Sequence, residues 1–310
     1  MTNLPTAREL LDVCKPMPAL RTAIVHPVKA NAIRSAFDAF AEGLIEPLLV
    51  GPEARIRAAA DEAGIDIGGW PIHDAEHSHA AAEYACALAV NGEVRALMKG
   101  SLHSDELLSA VIGAKPLRTE RRMSHVYAFV DADYHKPFFI TDGVINLTPT
   151  LAEKADIVRN AVHLFTALNG IDAIAKVAVV AAVETVNPDM PATIDAACLS
   201  KMAQRGQIQG ALIDGPLAFD NAISREAAQE KGIVSDVAGD ADVLLMPNLE
   251  AGNMMAKQLI FLGKADAAGL VLGARIPIIL TSRADSRLTR LMSCALAVRV
   301  AYAREQGMFS

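Results

Sequence analysis

The chain has 310 residues, of which 52% are hydrophobic and 21% are charged. This length predicts one large domain or two α/β lobes, and the composition excludes disordered and low-complexity chains. The formal net charge of −7 and the single tryptophan argue against a nucleic acid as partner.

Short runs rich in β-branched residues alternate with longer alanine-rich segments. Ten runs are predicted as strands: Thr22–Val25, Pro47–Val50, Ala96–Met98, His125–Val130, Phe138–Ile140, Val177–Ala182, Ala211–Ile213, Val243–Met246, Gly269–Leu272 and Pro277–Leu280. Nine segments are predicted as helices: Ala30–Glu42, Glu53–Ala63, Ala80–Asn91, Asp105–Ile112, Leu151–Leu168, Ile194–Arg205, Arg225–Lys231, Gly252–Leu262 and Ser286–Glu305. Continuous apolar strands are typical of parallel sheets covered on both faces, so we predict an α/β fold. The pattern breaks near Thr141–Pro149, which suggests two lobes with a site in the cleft between them.

The mean hydropathy of +0.26 raises the question of a membrane protein. The purest apolar run, Val177–Val183, is far shorter than the roughly 20 residues of a spanning helix. The amino-terminal residues do not resemble a signal peptide, and the four cysteines are scattered without a C-x-x-C pair. We therefore expect a cytoplasmic protein without membrane contact.

Common sequence fingerprints of cofactor sites and nucleophiles are missing. No G-x-G-x-x-G, P-loop or G-x-S-x-G pattern occurs. The histidine-rich segment His73–His79 matches no zinc spacing, and a solvated loop before a helix explains it better. No metal site is predicted.

Four loops follow predicted strands and precede predicted helices: Met98–Asp105, Asp214–Ala222, Met246–Lys257 and Leu280–Ser286. In a parallel sheet such loops share the carboxyl edge, where ligands bind. Ser104 and Asp220 are each suited to cap the helix that follows. Gly252 with Asn253 allows a close approach of the backbone at a helix start. Together the loops predict a site that handles anions.

The last of these loops combines a hydroxyl, a guanidinium and a carboxylate in Ser282, Arg283 and Asp285. Such groups suit a phosphate and a developing oxyanion, although Asp285 alone is equally explained as a helix cap. A basic segment, Arg118–His125, interrupts the acidic chain. It is either a solvated turn or a source of one or two arginines for the site.

Five motifs in this order resemble those of the phosphate acetyl/butyryltransferase family. They are MKGSLHS (98–104), LRTERRMSH (117–125), DGPLAFDNA (214–222), PNLEAGNMMAK (247–257) and TSRADS (281–286). The resemblance covers nearly the whole chain. It implies the reaction acyl-CoA + phosphate ⇌ acyl phosphate + CoA by direct transfer in a ternary complex.

The resemblance also implies an architecture. The family has two α/β lobes with parallel and mixed sheets flanked by helices, similar to isopropylmalate dehydrogenases, and the carboxyl-terminal helix returns to the first lobe. Here the lobes would be residues 1–145 plus 272–310 and residues 146–271. A homodimer is expected, with CoA as co-substrate and no tightly bound cofactor or metal.

Carried over by motif, Ser282 would hydrogen-bond the tetrahedral intermediate and Arg283 would bind phosphoryl oxygens. The other substrate-binding candidates are Lys257, Asn253, Asp220, His103 and Ser104, with Arg121 or Arg122 as a second phosphate clamp. These roles rest on the resemblance alone, which does not distinguish between the two adjacent arginines.

One position departs from the family pattern. Acetyl-type members carry an aspartate seven residues after the serine as the base for the CoA thiol, and here that position is Thr289. Asp285 is the nearer carboxylate; alternatively, the thiol ionises with help from local positive charge alone. The TSRADS form resembles the butyryl-type branch, so the length of the acyl group stays open.

The expected activity is therefore phosphate acyltransfer, with an acetyl group favoured and propionyl or butyryl as alternatives. A second hypothesis is an NAD-dependent decarboxylating dehydrogenase on the same fold. That enzyme would need a metal-binding cluster of carboxylates, which the sequence does not display. A third hypothesis is a non-catalytic, ligand-binding relative of the family. This hypothesis predicts that the Ser282–Arg283 pair is lost, but the pair is present.

Overall fold

The computed structural model describes residues 7–14, 16–280 and 285–309 of the chain. These residues form two compact units. The first unit draws on the described residues of 7–120 and 268–307, and the second on residues 121–267 together with 308 and 309.

The elements of the first unit up to residue 120 are α1 (Ala7–Cys14), β1 (Leu20–Val25), α2 (Ala30–Ala41), β2 (Ile45–Val50), α3 (Glu53–Ala63), β3 (Ile72–His73), α4 (Ser78–Val90), β4 (Ala96–Lys99), α5 (Ser104–Gly113) and a 3₁₀ turn at Lys115–Leu117. The elements of the second unit are β5 (Ser124–Val130), β6 (Phe138–Thr141), α6 (Leu151–Asn169), β7 (Ala175–Val180), α7 (Pro191–Gln204), β8 (Ala211–Leu217), α8 (Phe219–Ile223), α9 (Arg225–Glu230), β9 (Val243–Leu245) and α10 (Leu249–Phe261). The last three elements are β10 (Asp266–Leu272), β11 (Ile278–Ile279) and α11 (Arg287–Glu305).

Every predicted strand and helix has a counterpart, with ends that differ by a few residues. The elements that were not predicted are α1, β3, the 3₁₀ turn and α8. Three of these four contain five residues or fewer, which is too short for a periodic apolar pattern. The predicted α/β class is confirmed.

The first unit has a mixed sheet with the strand order β3-β2-β1-β4-β11-β10. All neighbouring pairs from β3 to β11 are parallel, and β10 pairs with β11 antiparallel. Nearly every residue of β1 and β2 is buried, as expected of strands covered by helices on both faces.

In the second unit, the strands of the sheet have the order β5-β6-β9-β7-β8. Strands β6, β9, β7 and β8 are parallel, and β5 is antiparallel to β6. Because β6 pairs with β9, residues 124–141 belong to this sheet. The division therefore falls after residue 120, whereas the sequence places it after residue 145, and the later division falls after 267 rather than 271.

Helix α6 begins where the sequence predicts it, and its first turn explains why. Thr150 and Glu153 form a capping box: the Glu153 carboxylate accepts from Thr150 N at 2.9 Å, and Thr150 Oγ1 accepts from Glu153 N at 3.4 Å. Two otherwise unpaired N–H groups are thereby satisfied. Among the described helices, none is both long and apolar enough to cross a membrane.

In the second unit, the carboxylate of Asp240 is surrounded by basic side chains. Asp240 lies 2.6 Å from Lys176 Nζ, 3.0 Å from Lys136 Nζ, 2.7 Å from His135 Nε2 and 3.1 Å from Arg225 Nη2. Burial alone would raise the pKa of this carboxyl, but the hydrogen bonds from Lys176, Lys136 and His135 outweigh it and hold the pKa well below its usual range.

Asp240→Asn is expected to lower the free energy of unfolding at pH 7 by about 3 kcal/mol, because it leaves several close cations without their counter-charge. A depressed pKa in the folded state stabilises the protein above the unfolded-state pKa of about 3.9, and that stabilisation is lost as the pH falls through the folded-state value. Urea titrations should therefore show a deficit that is full at pH 6–8 and shrinks below about pH 4. Asp236→Asn, at an exposed position, is the control, and an equal loss there would contradict the assignment.

Candidate active site

In the first unit, two of the predicted loops begin beside each other. Strand β11, which leads into the loop starting at Leu280, pairs in parallel with β4, Ile279 lying opposite Met98. Strand β4 leads into the MKGSLHS loop and pairs on its other side with β1. These two of the four predicted loops therefore begin at the same edge of the sheet.

The MKGSLHS loop packs against the residue that follows β1. Gly100 N donates to Val25 O at 2.9 Å, and Ser101 N donates to His26 O at 2.9 Å. A Cβ on Gly100 would lie 2.9 Å from the His26 carbonyl carbon, so only glycine allows this approach. The loop is thereby held against the end of the sheet.

His103 and Ser104 begin helix α5 at this edge. His103, not Ser104, is the N-cap residue, and its side chain makes no capping hydrogen bond. Ser104 is the first helical residue and is partly buried, whereas His103 is exposed. The predicted cap at Ser104 is wrong by one residue, which leaves both side chains at the edge without a capping role.

Ser282 and Arg283 lie outside the described residues, as do Thr281 and Ala284. Asp285 is described: it is partly buried, and its main-chain carbonyl accepts from Arg290 Nη1 at 2.6 Å.

The cap of α11 is Ser286, whose Oγ accepts from Thr289 N at 3.0 Å. The reading of Asp285 as the helix cap is therefore wrong. Thr289 Oγ1 lies 3.0 Å from the same serine hydroxyl. The threonine at the family's aspartate position thus belongs to the first turn of the helix.

In the second unit, the loop after β6 touches the start of α10. A Cβ on Gly252 would overlap the Asp142 carbonyl oxygen, and one on Gly143 would lie 2.9 Å from the Gly252 carbonyl carbon. Asn253 Nδ2 donates to Gly143 O at 2.9 Å. The predicted close approach at this helix is present, and Lys257 lies one turn further on with an exposed side chain.

The same loop reaches Arg122 through Asn146. Arg122 Nε donates to Asn146 Oδ1 at 2.8 Å, and Asn146 Nδ2 donates to Asp142 Oδ2 at 2.6 Å. Asp142 also accepts from the main-chain N–H groups of Val144, Ile145 and Asn146 at 2.8–3.2 Å. Burial raises the pKa of the Asp142 carboxyl, and these hydrogen bonds oppose that rise.

Arg121 has different surroundings from its neighbour. Its Nη1 lies 2.8 Å from the ring nitrogens of His163, and that ring stacks on Phe309 at a centroid distance of 4.2 Å. Burial lowers the pKa of the Arg121 guanidinium. Arg121 is thus packed against helix α6, while the Arg122 side chain is 56% exposed.

Asp220 lies in the first turn of α8, whose N-cap residue is Ala218, so the predicted cap is not formed. Its carboxylate is 3.7 Å from Lys231 Nζ, which also lies 3.1 Å from Glu184 Oε2. The hydrogen bond from Lys231 lowers the pKa of Glu184. Glu184 follows β7 and was not singled out from the sequence, although the rule that selected the other loops applies equally to it.

His26 is a second residue that was not singled out from the sequence. It directly follows β1, is 7% exposed, and neither ring nitrogen has a hydrogen-bond partner. Burial is the main cause that lowers its pKa. Its position directly after the first strand was the feature of the sequence that could have singled it out.

The histidine-rich segment is only partly a loop: His73 ends β3, and His79 lies in the first turn of α4. His77 caps α4, its Nδ1 accepting from Ala80 N at 3.1 Å. Among the described residues, no group of histidine, cysteine and carboxylate side chains is placed to hold a metal ion.

In each unit, strands that lead into different motifs thus end at the same edge of the sheet. The "Phosphate acetyl/butaryl transferase" family model matches residues 80–298, which is more than half of the chain. The chain belongs to this family. The resemblance drawn from the five motifs is therefore confirmed, and with it the assignment to a family of transferases.

Members of the phosphate acetyl/butyryl transferase family with curated names agree with this. The chain is 54% identical to a phosphate acetyltransferase of Rhizobium meliloti over 284 residues, covering 91% of this chain and 89% of that protein. It is 40% identical to a phosphate butyryltransferase of Clostridium acetobutylicum over 294 residues, covering 94% of this chain and 97% of that protein.

Solved structures of the family share the fold. A branched-chain phosphotransacylase from Enterococcus faecalis V583 matches with a TM-score of 0.78 and 27% identity, covering 91% of this chain and 99% of that chain. A 4-hydroxythreonine-4-phosphate dehydrogenase from Klebsiella pneumoniae matches with a TM-score of 0.55 and 14% identity over 92% of this chain and 99% of that chain. The similarity to a dehydrogenase extends to the fold alone. It therefore does not support the hypothesis of a dehydrogenase activity.

Proposed function

We propose that this chain catalyses the reversible reaction acyl-CoA + phosphate ⇌ acyl phosphate + CoA. The observation that carries the proposal is its high identity, over nine-tenths of its length, to named phosphate acetyl- and butyryltransferases. Acetyl is the favoured acyl group, because the acetyltransferase relative is the more similar of the two. Propionyl and butyryl groups are the alternatives.

The proposed chemistry is direct transfer without an acyl-enzyme. In the direction of thioester synthesis, the CoA sulfur attacks the carbonyl carbon of the acyl phosphate. The bond from that carbon to the bridging oxygen breaks, and phosphate leaves with the electron pair. The thiol proton passes to Asp285. Ser282 donates a hydrogen bond to the developing oxyanion, and Arg283 binds the phosphoryl oxygens.

The remaining proposed contacts come from the motifs described above. Arg122 supplies the second clamp on the phosphoryl group, and Asn253 with Lys257 lines the binding site. His103, Ser104 and Asp220 complete the proposed set of substrate-binding residues. CoA acts as a co-substrate, and no cofactor is bound tightly.

The proposal is tested by supplying acetyl, propionyl and butyryl phosphate with CoA and following thioester formation spectrophotometrically. Turnover with acetyl phosphate that exceeds turnover with the longer substrates is expected. Absence of turnover with all three would reject the proposed function and favour a non-catalytic relative.

Arg122→Ala should raise the KM for phosphate about 10- to 100-fold, since a charged hydrogen bond contributes about 1.5–3 kcal/mol. Arg121→Ala should leave that KM within about twofold and lower the melting temperature instead, because Arg121 packs on His163. Initial rates at varied phosphate, together with thermal melts, separate the two arginines. The opposite pattern would assign the clamp to Arg121.

Asp285→Asn should lower kcat at pH 7 by about 10²-fold, the usual contribution of a positioned general base. The remaining rate should rise with pH toward the thiol pKa of about 8.5, because the thiolate then forms without help. A pH–rate profile from pH 6 to 9.5 checks this. An unchanged profile would leave local positive charge as the only aid to ionisation.

We further propose that the protein acts as a homodimer in the cytoplasm. The free state of Cys14, Cys86, Cys198 and Cys294 supports a reducing compartment. Light scattering on the purified protein measures its molar mass and therefore its oligomeric state. A monomer at micromolar concentration would reject the dimer.

A further inference from the structure

A buried asparagine lies between two parts of the candidate site. Asn146 is 3% exposed, and both ends of its amide are hydrogen-bonded. Its Oδ1 accepts from Arg122 Nε at 2.8 Å, and its Nδ2 donates to Met123 O at 2.9 Å and to Asp142 Oδ2 at 2.6 Å. Its main-chain N–H donates to the same Asp142 oxygen at 3.2 Å.

This network allows only one orientation of the amide. On the Nδ2 side, Met123 O and Asp142 Oδ2 both accept. On the Oδ1 side, Arg122 Nε can only donate. A flipped amide would set three pairs of like groups against each other in a buried place, which is costly. The acceptor that faces Arg122 is therefore held in position.

The Arg122 guanidinium is hydrogen-bonded at Nε by Asn146, and the Arg122 main chain has separate partners. Its N–H donates to Asp156 Oδ2 at 3.1 Å, and its carbonyl accepts from Asn160 Nδ2 at 2.9 Å. The outer part of the guanidinium is not enclosed: the side chain is 56% exposed, and Glu153 Oε1 is 3.5 Å from Nη1. With Nε occupied, the two Nη groups present parallel N–H donors, a geometry that suits two oxygens of one phosphate.

The loop that carries Asn146 also holds a residue from another motif. Gly143 O, in the same loop, accepts from Asn253 Nδ2 at 2.9 Å. The loop is rigid, because the Asp142 carboxylate accepts several of its N–H groups. One buried loop thus sets the positions of two proposed substrate-binding side chains, Arg122 and Asn253.

We infer that Asn146 is a positioning residue for phosphate: it holds Arg122 Nε so that the two Nη groups face the oxygens of phosphate or of the acyl phosphate. The inference rests on the proposed function and adds a residue that touches no reacting atom. Asn146 acts only through Arg122. Its loss should therefore affect phosphate more than CoA.

The test is a double-variant cycle read by steady-state kinetics with acetyl-CoA and phosphate. Asn146→Ala should raise the KM for phosphate about 5- to 20-fold and change the KM for acetyl-CoA less than about twofold. Added to Arg122→Ala, it should raise the KM for phosphate no further, because the residue through which it acts is gone. A full additional increase in the double variant would overturn the inference.

Asn160→Ala is the matched control. Asn160 is also buried, and it bonds the main chain of Arg122 and Ser124 Oγ rather than the guanidinium. We expect it to lower the melting temperature as much as Asn146→Ala does while the KM for phosphate stays within about twofold. An equal rise of that KM in both variants would reduce the role of Asn146 to general stability and overturn the inference.

Arg122→Lys covers the case in which Asn146→Ala does not fold. Lysine keeps the charge at this exposed position but lacks the Nε donor, so it should raise the KM for phosphate nearly as much as Asn146→Ala. A lysine variant that binds phosphate like the wild type would overturn the inference.

Calorimetric titration of the same variants with inorganic phosphate separates failure of the inference from failure of the proposed function. A wild-type protein that binds phosphate but turns over no acyl phosphate rejects the function, and the variants' phosphate affinities then still decide the role of Asn146. A wild-type protein that neither binds phosphate nor turns over substrate overturns both.

Discussion

Ser282→Ala is expected to lower kcat by about 100- to 1,000-fold with little change in either KM. The proposed role is a hydrogen bond that strengthens as the carbonyl oxygen becomes an oxyanion, and loss of one such donor has effects of this size. Such a bond is weak in the ground state, so substrate binding is largely kept. Single-turnover rates with acetyl phosphate and CoA measure the chemical step directly.

Ser286→Ala, in the same motif, is the control for this experiment. Ser286 Oγ accepts from Thr289 N and caps α11. Its loss should decrease the free energy of unfolding by about 1 kcal/mol and leave kcat within about threefold. Equal kcat for both variants and the wild type would remove Ser282 from the chemistry while leaving the family assignment intact.

The arrangement of strands and loops was predictable because it depends on local patterns. Parallel strands buried on both faces are continuous apolar runs, and loops that follow them share one edge of a sheet. This placed MKGSLHS beside the strand that leads to TSRADS, and the structure agrees. The helix caps were less predictable, since His103 and Ser104 are adjacent and both precede the same helix.

The proposed choice of Arg122 over Arg121 depends on tertiary structure. The two residues are neighbours of the same type, and only distant partners distinguish them: His163 for the first and Asn146 for the second. The division between the units also depends on tertiary structure, because partners that are distant in the chain decide it. Strand β6 joins the second unit because it pairs with β9, about a hundred residues later in the chain.

Gly252→Ala is expected to lower both the free energy of unfolding and the activity, although it adds only one methyl group. A Cβ here would overlap the Asp142 carbonyl oxygen and lie 3.0 Å from Gly143 Cα. Both neighbours are backbone, so α10 and the loop after β6 must move apart. Overpacking of this kind costs about 1–3 kcal/mol.

The same displacement would move Asn253 away from Gly143 O, and with it the loop that holds Arg122 through Asn146. Misplacement of binding groups by about 1 Å lowers rates by about 10²-fold. We therefore expect kcat/KM for phosphate to fall by about that factor while the protein still folds, as judged by circular dichroism and urea titration.

Gly113→Ala is the matched control, because a Cβ at this last residue of α5 meets nothing within 4 Å. It should be neutral or raise the free energy of unfolding slightly, by up to about 1 kcal/mol. Gly143→Ala approaches the same contact from the other side and should reproduce the Gly252→Ala phenotype. If Gly252→Ala instead kept wild-type stability and kcat/KM, the contact between the loop and α10 would not be what positions Asn253 and Arg122.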